Sequence, residues 1–417
     1  MNILFITDPF QVEPLGLGYL ASSLKKAGHQ PELVTTDRLI PSMVDRADMI
    51  GYSITTGKHK RFIDLNRQLK ANHTFISMFG GAHPTYFPEM LKEEGVDCIV
   101  RGEGEGSIFF AIQEARMGGK TEIDFWPLIQ NLDSLPFPDR EFLYRYPENR
   151  YNPIKNVMTS RGCRFSCPYC FNSLYRSFYK GQTWVRHRSV NNVIEECLEL
   201  KTNYDPQFIF FQDDEFLTNP HLYELLYIYK SKINIPFHCQ IRIELLTKFL
   251  AKELKEAGCT GVTFAIESGC ETLRKNLLKR NISDEKILVG ASILHEAGLK
   301  FRTENMIGLP GETYKEMLKT LKLNSKCRPT IGWASIFQPY PRLPLASSLK
   351  VDEFGESFFT DTLMNKKNRG SIIKLQRLFG LLVSHPIFHW LLVLPNNVIF
   401  NKISSWWKQR RYNVLFN

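Results

Sequence analysis

Short apolar runs alternate with stretches of helical spacing along most of the chain. Near the start, Asn2–Thr7, Met49–Ile54, Phe75–Phe79 and Cys98–Val100 are strand-length runs. Between them, Leu17–Ala27, Arg61–Ala71 and Pro88–Glu94 have helical spacing, and Gly28 closes the first of these. This alternation predicts a parallel sheet with helices on both faces. Ligands of such sheets bind beyond the carboxyl ends of the strands. The loops expected there are 8–18, 53–57, 80–85 and 101–106, most of them rich in Gly, Pro or hydroxyl residues.

A second alternating region follows. Prolines at 136 and 138 favour extended backbone, so 131–150 reads as a linker. Beyond it, expected strands are Asn156–Thr159, Phe208–Phe211, Phe237–Ile241, Gly261–Ile266, Phe301–Ile307 and Trp333–Pro339. Expected helices are Val190–Lys201, Pro220–Ser231, Leu246–Ala257, Asp284–Ala297 and Thr313–Cys327. About six β/α units imply a partial barrel, with chemistry at the carboxyl ends of its strands. The expected fold class is therefore α/β. A doubly wound parallel sheet spans 1–130, a linker 131–150, a partial (β/α)6 barrel 151–345, and a helical tail 346–417.

Charge changes this picture only at the end of the chain. The formal net charge of the 417 residues is +10, but from Thr362 to Asn417 there are nine Lys or Arg and no acid. The rest is near neutral, and no basic stripe with interleaved aromatics marks it for nucleic acid. Nine cysteines are sparse and odd in number, which disfavours a disulfide framework. Ile3-Leu-Phe-Ile6 is too short for a signal segment and is soon followed by Asp8-Pro9, so a cytoplasmic location is expected.

Three of the cysteines are clustered. Cys163, Cys167 and Cys170 follow a C-x3-C-x2-C spacing. Three thiolates hold three irons of a cubane iron–sulfur cluster and leave the fourth open to a cofactor. A structural zinc site would want four ligands, usually from paired short spacings, and His187 is the one adjacent histidine.

The cysteine run resembles the hallmark of the radical S-adenosylmethionine (SAM) enzymes, with Tyr169 at the family's aromatic position before the last cysteine. The resemblance continues downstream. Phe211-Gln-Asp-Asp-Glu-Phe216 matches a second-strand motif whose carboxylates accept from the methionyl ammonium, with Asp213, Asp214 and Glu215 as candidates and Asp214 preferred. A lone acidic triplet is usually a solvated turn, but this one follows an apolar strand. Arg242 resembles an arginine near the SAM carboxylate or substrate, a task suited to a planar guanidinium. Glu267, which ends the Thr263–Glu267 run before a glycine turn, resembles the family's glutamate near SAM. Met306-Ile-Gly-Leu-Pro-Gly-Glu312 resembles the motif beside the adenine, with Gly308 and Gly311 serving backbone geometry and Glu312 a helix first turn. The resemblance implies a [4Fe–4S] cluster, S-adenosyl-L-methionine cleaved to a radical that abstracts hydrogen, and a reductant protein such as flavodoxin or ferredoxin.

The N-terminal loops resemble, in order, those of cobalamin-binding radical SAM proteins. The matching stretches are Pro14–Ala21, Gly51–Thr56, Gly80–Thr85 and Arg101–Glu105. Leu15, Gly16, Ser53, Thr55, Gly80, Gly81, His83, Gly102 and Glu103 are the positions this resemblance assigns to cobalamin. Glycines after strands let backbone amides approach a large ligand. A domain of this kind that binds nothing is the competing reading. The D-x-H-x-x-G pattern that supplies a cobalt-ligating histidine does not occur, so a cobalt without that histidine is expected.

Three reactions fit these motifs. One is cobalamin-dependent methylation of an unactivated centre. Another is a cyclisation or rearrangement with the same cofactors. The third is a non-catalytic cobalamin- or redox-responsive protein, against which the aspartates, Arg242 and Glu267 argue. The substrate is expected to be a small molecule, lipid-like compound or peptide. Leu378–Leu394 is hydrophobic, but His385, Pro386 and His389 make it a poor membrane span. Ile403–Tyr412 has the Trp and Arg mixture of an interfacial helix. Two readings of the tail stand together: peripheral contact with the inner membrane surface, or a helical extension packed on the barrel.

Overall fold

The structure is a computed structural model that describes residues 1–340, 342–347 and 369–393. Two compact units divide it. The first comprises Met1–Asn156 and Tyr175–Arg188; the second comprises Val157–Leu174 and the chain from Ser189 onward.

In the first unit, six strands form one sheet in the order β2-β1-β3-β4-β5-β6. They are β1 (Asn2–Thr7), β2 (Gln30–Thr35), β3 (Met49–Ser53), β4 (Ile76–Gly80), β5 (Cys98–Val100) and β6 (Thr121–Ile123). Every neighbouring pair is parallel. Ile3, Leu4, Phe5 and Ile6 are all buried, as a strand covered on both faces requires. Strand order reverses between β1 and β3, and this switch point opens a crevice at the carboxyl edge. β2 and β6 were not foreseen from the sequence. β2 opens with Gln30-Pro-Glu, and β6 is a three-residue edge strand, so neither presents an apolar run.

Residues 131–150 pack as part of this unit, unlike the linker expected from their prolines. Arg140, Phe142, Leu143 and Tyr144 are buried. Ser22 Oγ donates to the Phe137 carbonyl at 2.5 Å, and Asp139 N–H to that of Gly18 at 3.0 Å. The buried Arg140 guanidinium pairs with Glu13. Prolines extended the backbone here, while the residues between them supplied core contacts.

The second unit is built on β7 (Ile154–Val157), whose last residue belongs to it, and on β10 (Phe208–Phe211), β11 (Phe237–Gln240), β12 (Cys259–Glu267), β13 (Lys300–Ile307) and β14 (Ile331–Ile336). Their order is β14-β13-β12-β11-β10-β7. Two-residue strands β8 (Ser160–Arg161) and β9 (Arg186–His187) lie between in sequence. Four helices that alternate with these strands begin at hydroxyl N-caps. Ser189, Thr247, Ser283 and Thr313 each accept from the backbone N–H three residues on. One sheet face is sealed by these helices through Phe237, Cys239, Val262, Phe264 and Phe301. On the opposite face, Gln240, Arg302, Glu304, Met306, Trp333 and Ser335 remain half-buried.

Helix Arg369–Ser384 packs against the edge strand β14. Ile372, Leu375, Leu378, Phe379 and Leu382 are buried there, and Gln376 Nε2 donates to the Ala334 carbonyl at 3.1 Å. For this stretch the packed reading of the tail holds. Ile403–Tyr412 lies outside the described residues. Among the described residues, no helix is long and apolar enough to cross a membrane.

The loops after β12 and β13 are knotted together. Gly269 N–H donates to Thr320 Oγ1 at 2.7 Å. Buried Arg274 donates to the Ser268 carbonyl at 2.6 Å and pairs with Asp284 at 2.5 Å. Glu312 Oε2 accepts from Gly308 N–H at 2.8 Å and Leu309 N–H at 3.0 Å, while Ser268 Oγ reaches its other oxygen at 3.5 Å. Glu312 is thus a buried brace between two loops and not the helix first-turn acid that its position suggested. That burial pushes its carboxyl up to about 7.

Two outcomes follow for stability. A methyl group at Gly269 would overlap the Lys319 carbonyl and Thr320 Cα, which are backbone atoms. Gly269→Ala should destabilise by about 1–3 kcal/mol. Gly16→Ala, with nothing within 4 Å of the added carbon, should be neutral in the same melts. The raised Glu312 carboxyl binds its proton more tightly when folded, so its contribution is full below its ordinary range and is lost as pH rises through about 7. The stability difference between the wild type and Glu312→Gln should therefore shift toward the variant between pH 5 and pH 8 in paired thermal melts.

Candidate functional site

The cysteine loop leaves the carboxyl end of β7 and is fixed there by a buried carboxylate. Asp213, at the end of β10, accepts from Thr159 N–H at 3.1 and 3.2 Å, Thr159 Oγ1 at 2.7 Å and Ser160 Oγ at 2.5 Å. These donors occupy its oxygens, so Asp213 orients the loop from beneath. Further along, Cys170 N–H donates to the Cys167 carbonyl at 3.0 Å, and Leu345 N–H to that of Pro168 at 3.1 Å. Cys163, Cys167 and Cys170 are half-buried and free of disulfides. Burial and the neighbouring carboxylate of Asp214 push the Cys170 thiol up to about 12, and Cys163 moves in the same direction.

The donor set suits a cluster. Among the described residues, no three His, Cys, Asp or Glu side chains close around one ion-sized point. Cys167 stands near enough to Cys163 and Cys170 to raise both of those thiols. Three clustered thiols supply one ligand each to three irons of a cubane, whereas a structural zinc wants four ligands at one centre.

The acidic triplet divides its work. Asp214 is uncovered toward solvent on one face and crowded by protein on the others. Desolvation raises its carboxyl, and the buried Asn172 side chain, which hydrogen-bonds it, opposes that rise. Glu215 caps the turn at Leu217 at 3.0 Å and accepts from Arg242 N–H at 3.4 Å. Of the three, Asp214 is the one whose carboxylate is open beside the thiols.

Arg242 and Glu267 belong to one circuit of charges. Arg242 donates from Nη1 to Cys167 Sγ at 3.4 Å and from Nε to Glu244 at 2.8 Å, and its plane lies 4.0 Å from the Phe165 ring centre. Glu244 stands 3.6 Å from buried Arg280, which reaches Glu267 at 3.5 Å. Tyr169 donates its hydroxyl to Glu267 at 3.0 Å. Burial raises the Glu267 carboxyl; Arg280 and Tyr169 oppose that rise. Glu267 holds φ at +66°, a left-handed conformation that turns the chain out of β12. Gly308 has φ +76° and donates its N–H to Glu312. Arg280, Glu244 and Asn172 were not foreseen. Nothing in the local sequence separates Arg280 and Asn172 from surface residues, because Glu267, Glu244 and Asp214 reach them from distant segments.

In the first unit, Ser53, Thr55 and Gly16 are exposed at the carboxyl edge of the sheet. Leu15 is a core residue, 2 % exposed. Gly80 ends β4, and Gly81 holds φ +89° where a side chain would come within 2.9 Å of Ile54 backbone. His83 is buried between His59 and Phe87, with ring centres 3.8 and 4.9 Å away, and its Nδ1 lies 3.2 Å from Thr56 Oγ1. Glu103 is gripped by buried Arg186 at 2.5 and 3.0 Å, and its N–H meets Tyr179 Oη at 3.3 Å. A side chain at Gly102 would overlap that same Tyr179 hydroxyl. So Gly102 and Glu103 serve the packing of the inserted segment Tyr175–Arg188. Exposed hydroxyls and a helix start remain at the switch point for a large polar ligand, and they fit the periphery of a corrin.

Comparison with known proteins agrees with this geometry. Residues 157–323 match the radical SAM superfamily, and residues 1–108 match the B12 binding domain. An uncharacterized methyltransferase of Pyrococcus horikoshii is 30% identical over 361 residues, covering 79% of this chain and 76% of its own. An anaerobic magnesium-protoporphyrin IX monomethyl ester cyclase of Rubrivivax gelatinosus is 24% identical, covering 82% of this chain and 67% of its own. The fold is that of TsrM, a radical SAM methyltransferase from Kitasatospora setae solved with cobalamin and a [4Fe–4S] cluster, with TM-score 0.66 and 14% identity over 83% of this chain and 77% of that one. With its cysteine loop at the end of β7 and a B12 binding domain ahead of it, the chain belongs to the radical SAM superfamily, among the members that carry a cobalamin-binding domain.

Proposed function

We propose that this protein is a cobalamin-dependent radical SAM methyltransferase. The observation that carries the proposal is the set of three half-buried thiols, none in a disulfide, beside the open Asp214 carboxylate at the strand ends of the second unit. Cys163, Cys167 and Cys170 would hold the cluster, and the exposed Ser53, Thr55 and Gly16 edge would hold cobalamin. When bound, these groups and SAM supply one-electron cleavage of the sulfonium and a carried methyl group. The residues of the chain bind and orient. Asp214 accepts from the methionyl ammonium, Glu267 and Tyr169 shape the neighbouring wall, and Gly308 lets backbone approach the nucleoside. A cyclase reading draws support from the Rubrivivax relative. It is separated from methylation by whether S-adenosylhomocysteine accumulates with product.

The open face of the second sheet supports a polar small molecule or a peptide over a wholly apolar lipid. Arg302 pairs with Glu304 at 3.0 Å and lies 4.7 Å over Trp333. His238, bonded to Thr263 at 2.8 Å, is held neutral by burial, with its pKa down to about 3. An apolar occupant would desolvate the partly exposed Arg302–Glu304 pair without replacing its hydration.

Anaerobically reconstituted protein should contain about four irons per chain. Replacing all three loop cysteines with Ala should abolish them while Cys98, Cys197, Cys239, Cys259, Cys270 and Cys327 remain. Asp214→Ala should keep the iron but weaken SAM binding by about 1.5–3 kcal/mol, the worth of a charged hydrogen bond. Asp213→Ala should instead lower iron content, because it releases the loop. Protein prepared with hydroxocobalamin should retain it through gel filtration, and Ser53→Phe should reduce retention without changing the melting temperature. Unimpaired retention in that variant would move the corrin away from the β3 edge.

A further inference from the structure

Arg242 is positioned differently from an arginine that grips the carboxylate of a bound amino acid. A guanidinium clamps a carboxylate with two parallel N–H groups on one edge. In Arg242, both nitrogens of the Nε/Nη2 edge are already spent on Glu244. Phe165 covers one face at 4.0 Å. Glu215 fixes the backbone N–H at 3.4 Å. Thus clamped on three sides, the side chain delivers Nη1 to Cys167 Sγ at 3.4 Å.

We infer that Arg242 is a positioning residue for the cluster that sets how readily it accepts an electron, and not the ligand of the SAM carboxylate. This rests on the reading that the three cysteines hold the cluster. A hydrogen bond and a positive charge at a ligating sulfur stabilise the state carrying one more negative charge, and hydrogen bonds to the sulfurs are among the levers that set cluster potentials. The event concerned is the gain of one electron by the cluster from an external low-potential donor. No bond forms or breaks in Arg242, and no proton moves. Glu244 limits the effect, since its carboxylate neutralises part of the guanidinium charge while holding it in place. The two residues therefore act with opposite signs. Arg280, bridging Glu244 and Glu267, completes the frame from the far side.

The test uses the full chain, reconstituted anaerobically, as wild type, Arg242→Met, Arg242→Lys and Glu244→Gln. Iron content is measured first. Each protein is then titrated with dithionite without SAM while electron paramagnetic resonance follows the reduced cluster, and SAM affinity is measured separately. Arg242→Met should show an at least tenfold smaller reduced-to-oxidised ratio at a given solution potential, about 59 mV for a one-electron couple. Arg242→Lys should restore part of that loss. Glu244→Gln should shift the ratio the other way, and it keeps the question open to refutation if Arg242→Met assembles poorly. SAM affinity should change less than threefold in Arg242→Met. An unchanged potential in a fully loaded Arg242→Met protein, or a Glu244→Gln shift in the same direction as Arg242→Met, overturns the inference. A tenfold loss of SAM affinity at unchanged potential returns Arg242 to the SAM carboxylate. Iron-free wild-type protein would overturn the cluster assignment itself, and this inference with it.

Discussion

The buried carboxylate of Asp213 is the constraint from which the cluster site follows. It sits in the interior, where an unpaired charge would be costly, and it meets that cost by accepting from the backbone and hydroxyl of Thr159 and the hydroxyl of Ser160. These are the residues at which the chain leaves β7 and begins the cysteine loop. One side chain at the end of β10 thereby fixes where a loop on the neighbouring strand starts. The thiols take their places from that start, from the Cys170–Cys167 turn and from the Leu345 contact at Pro168. The root of the loop is held by hydrogen bonds from Thr159 and Ser160 to one carboxylate.

With the root settled, three consecutive acids are free to differ. Alternation along an extended chain turns Asp213 inward and Asp214 outward, and the cap at Glu215 bends the chain toward Arg242. An inward, loop-holding carboxylate and an outward, solvent-facing one thus sit side by side without competing for the same donors. The circuit from Tyr169 through Glu267, Arg280 and Glu244 to Arg242 works on the same principle. Each buried charge has an opposite neighbour, so the site carries many charges without leaving one isolated.

In the first unit, glycines serve two different needs. Gly81 takes a left-handed conformation against the Ile54 backbone, which keeps the β4 turn tight. Gly102 yields space to Tyr179, and the Arg186 pair holds Glu103 beside it. The same residue type at two strand ends therefore keeps a turn tight in one place and admits a packed insertion in the other.

Much of this was legible in the chain itself. The continuous apolar run of β10, the helical spacing of the barrel helices and the spacing of the three cysteines are local patterns, and local sterics and hydrogen bonding act on neighbours in sequence. They determined the two sheets, most of the helices and the cluster loop. β2 and the 131–150 segment escaped, because their burial depends on what packs over them. The roles within the acidic triplet, the pairing of Glu103 with Arg186 and the circuit through Arg280 were settled only in three dimensions. Most of those partners lie 13 to 98 residues apart. A charge–charge contact depends on distance in space, and strand order, which no local pattern encodes, decides which distant residues meet.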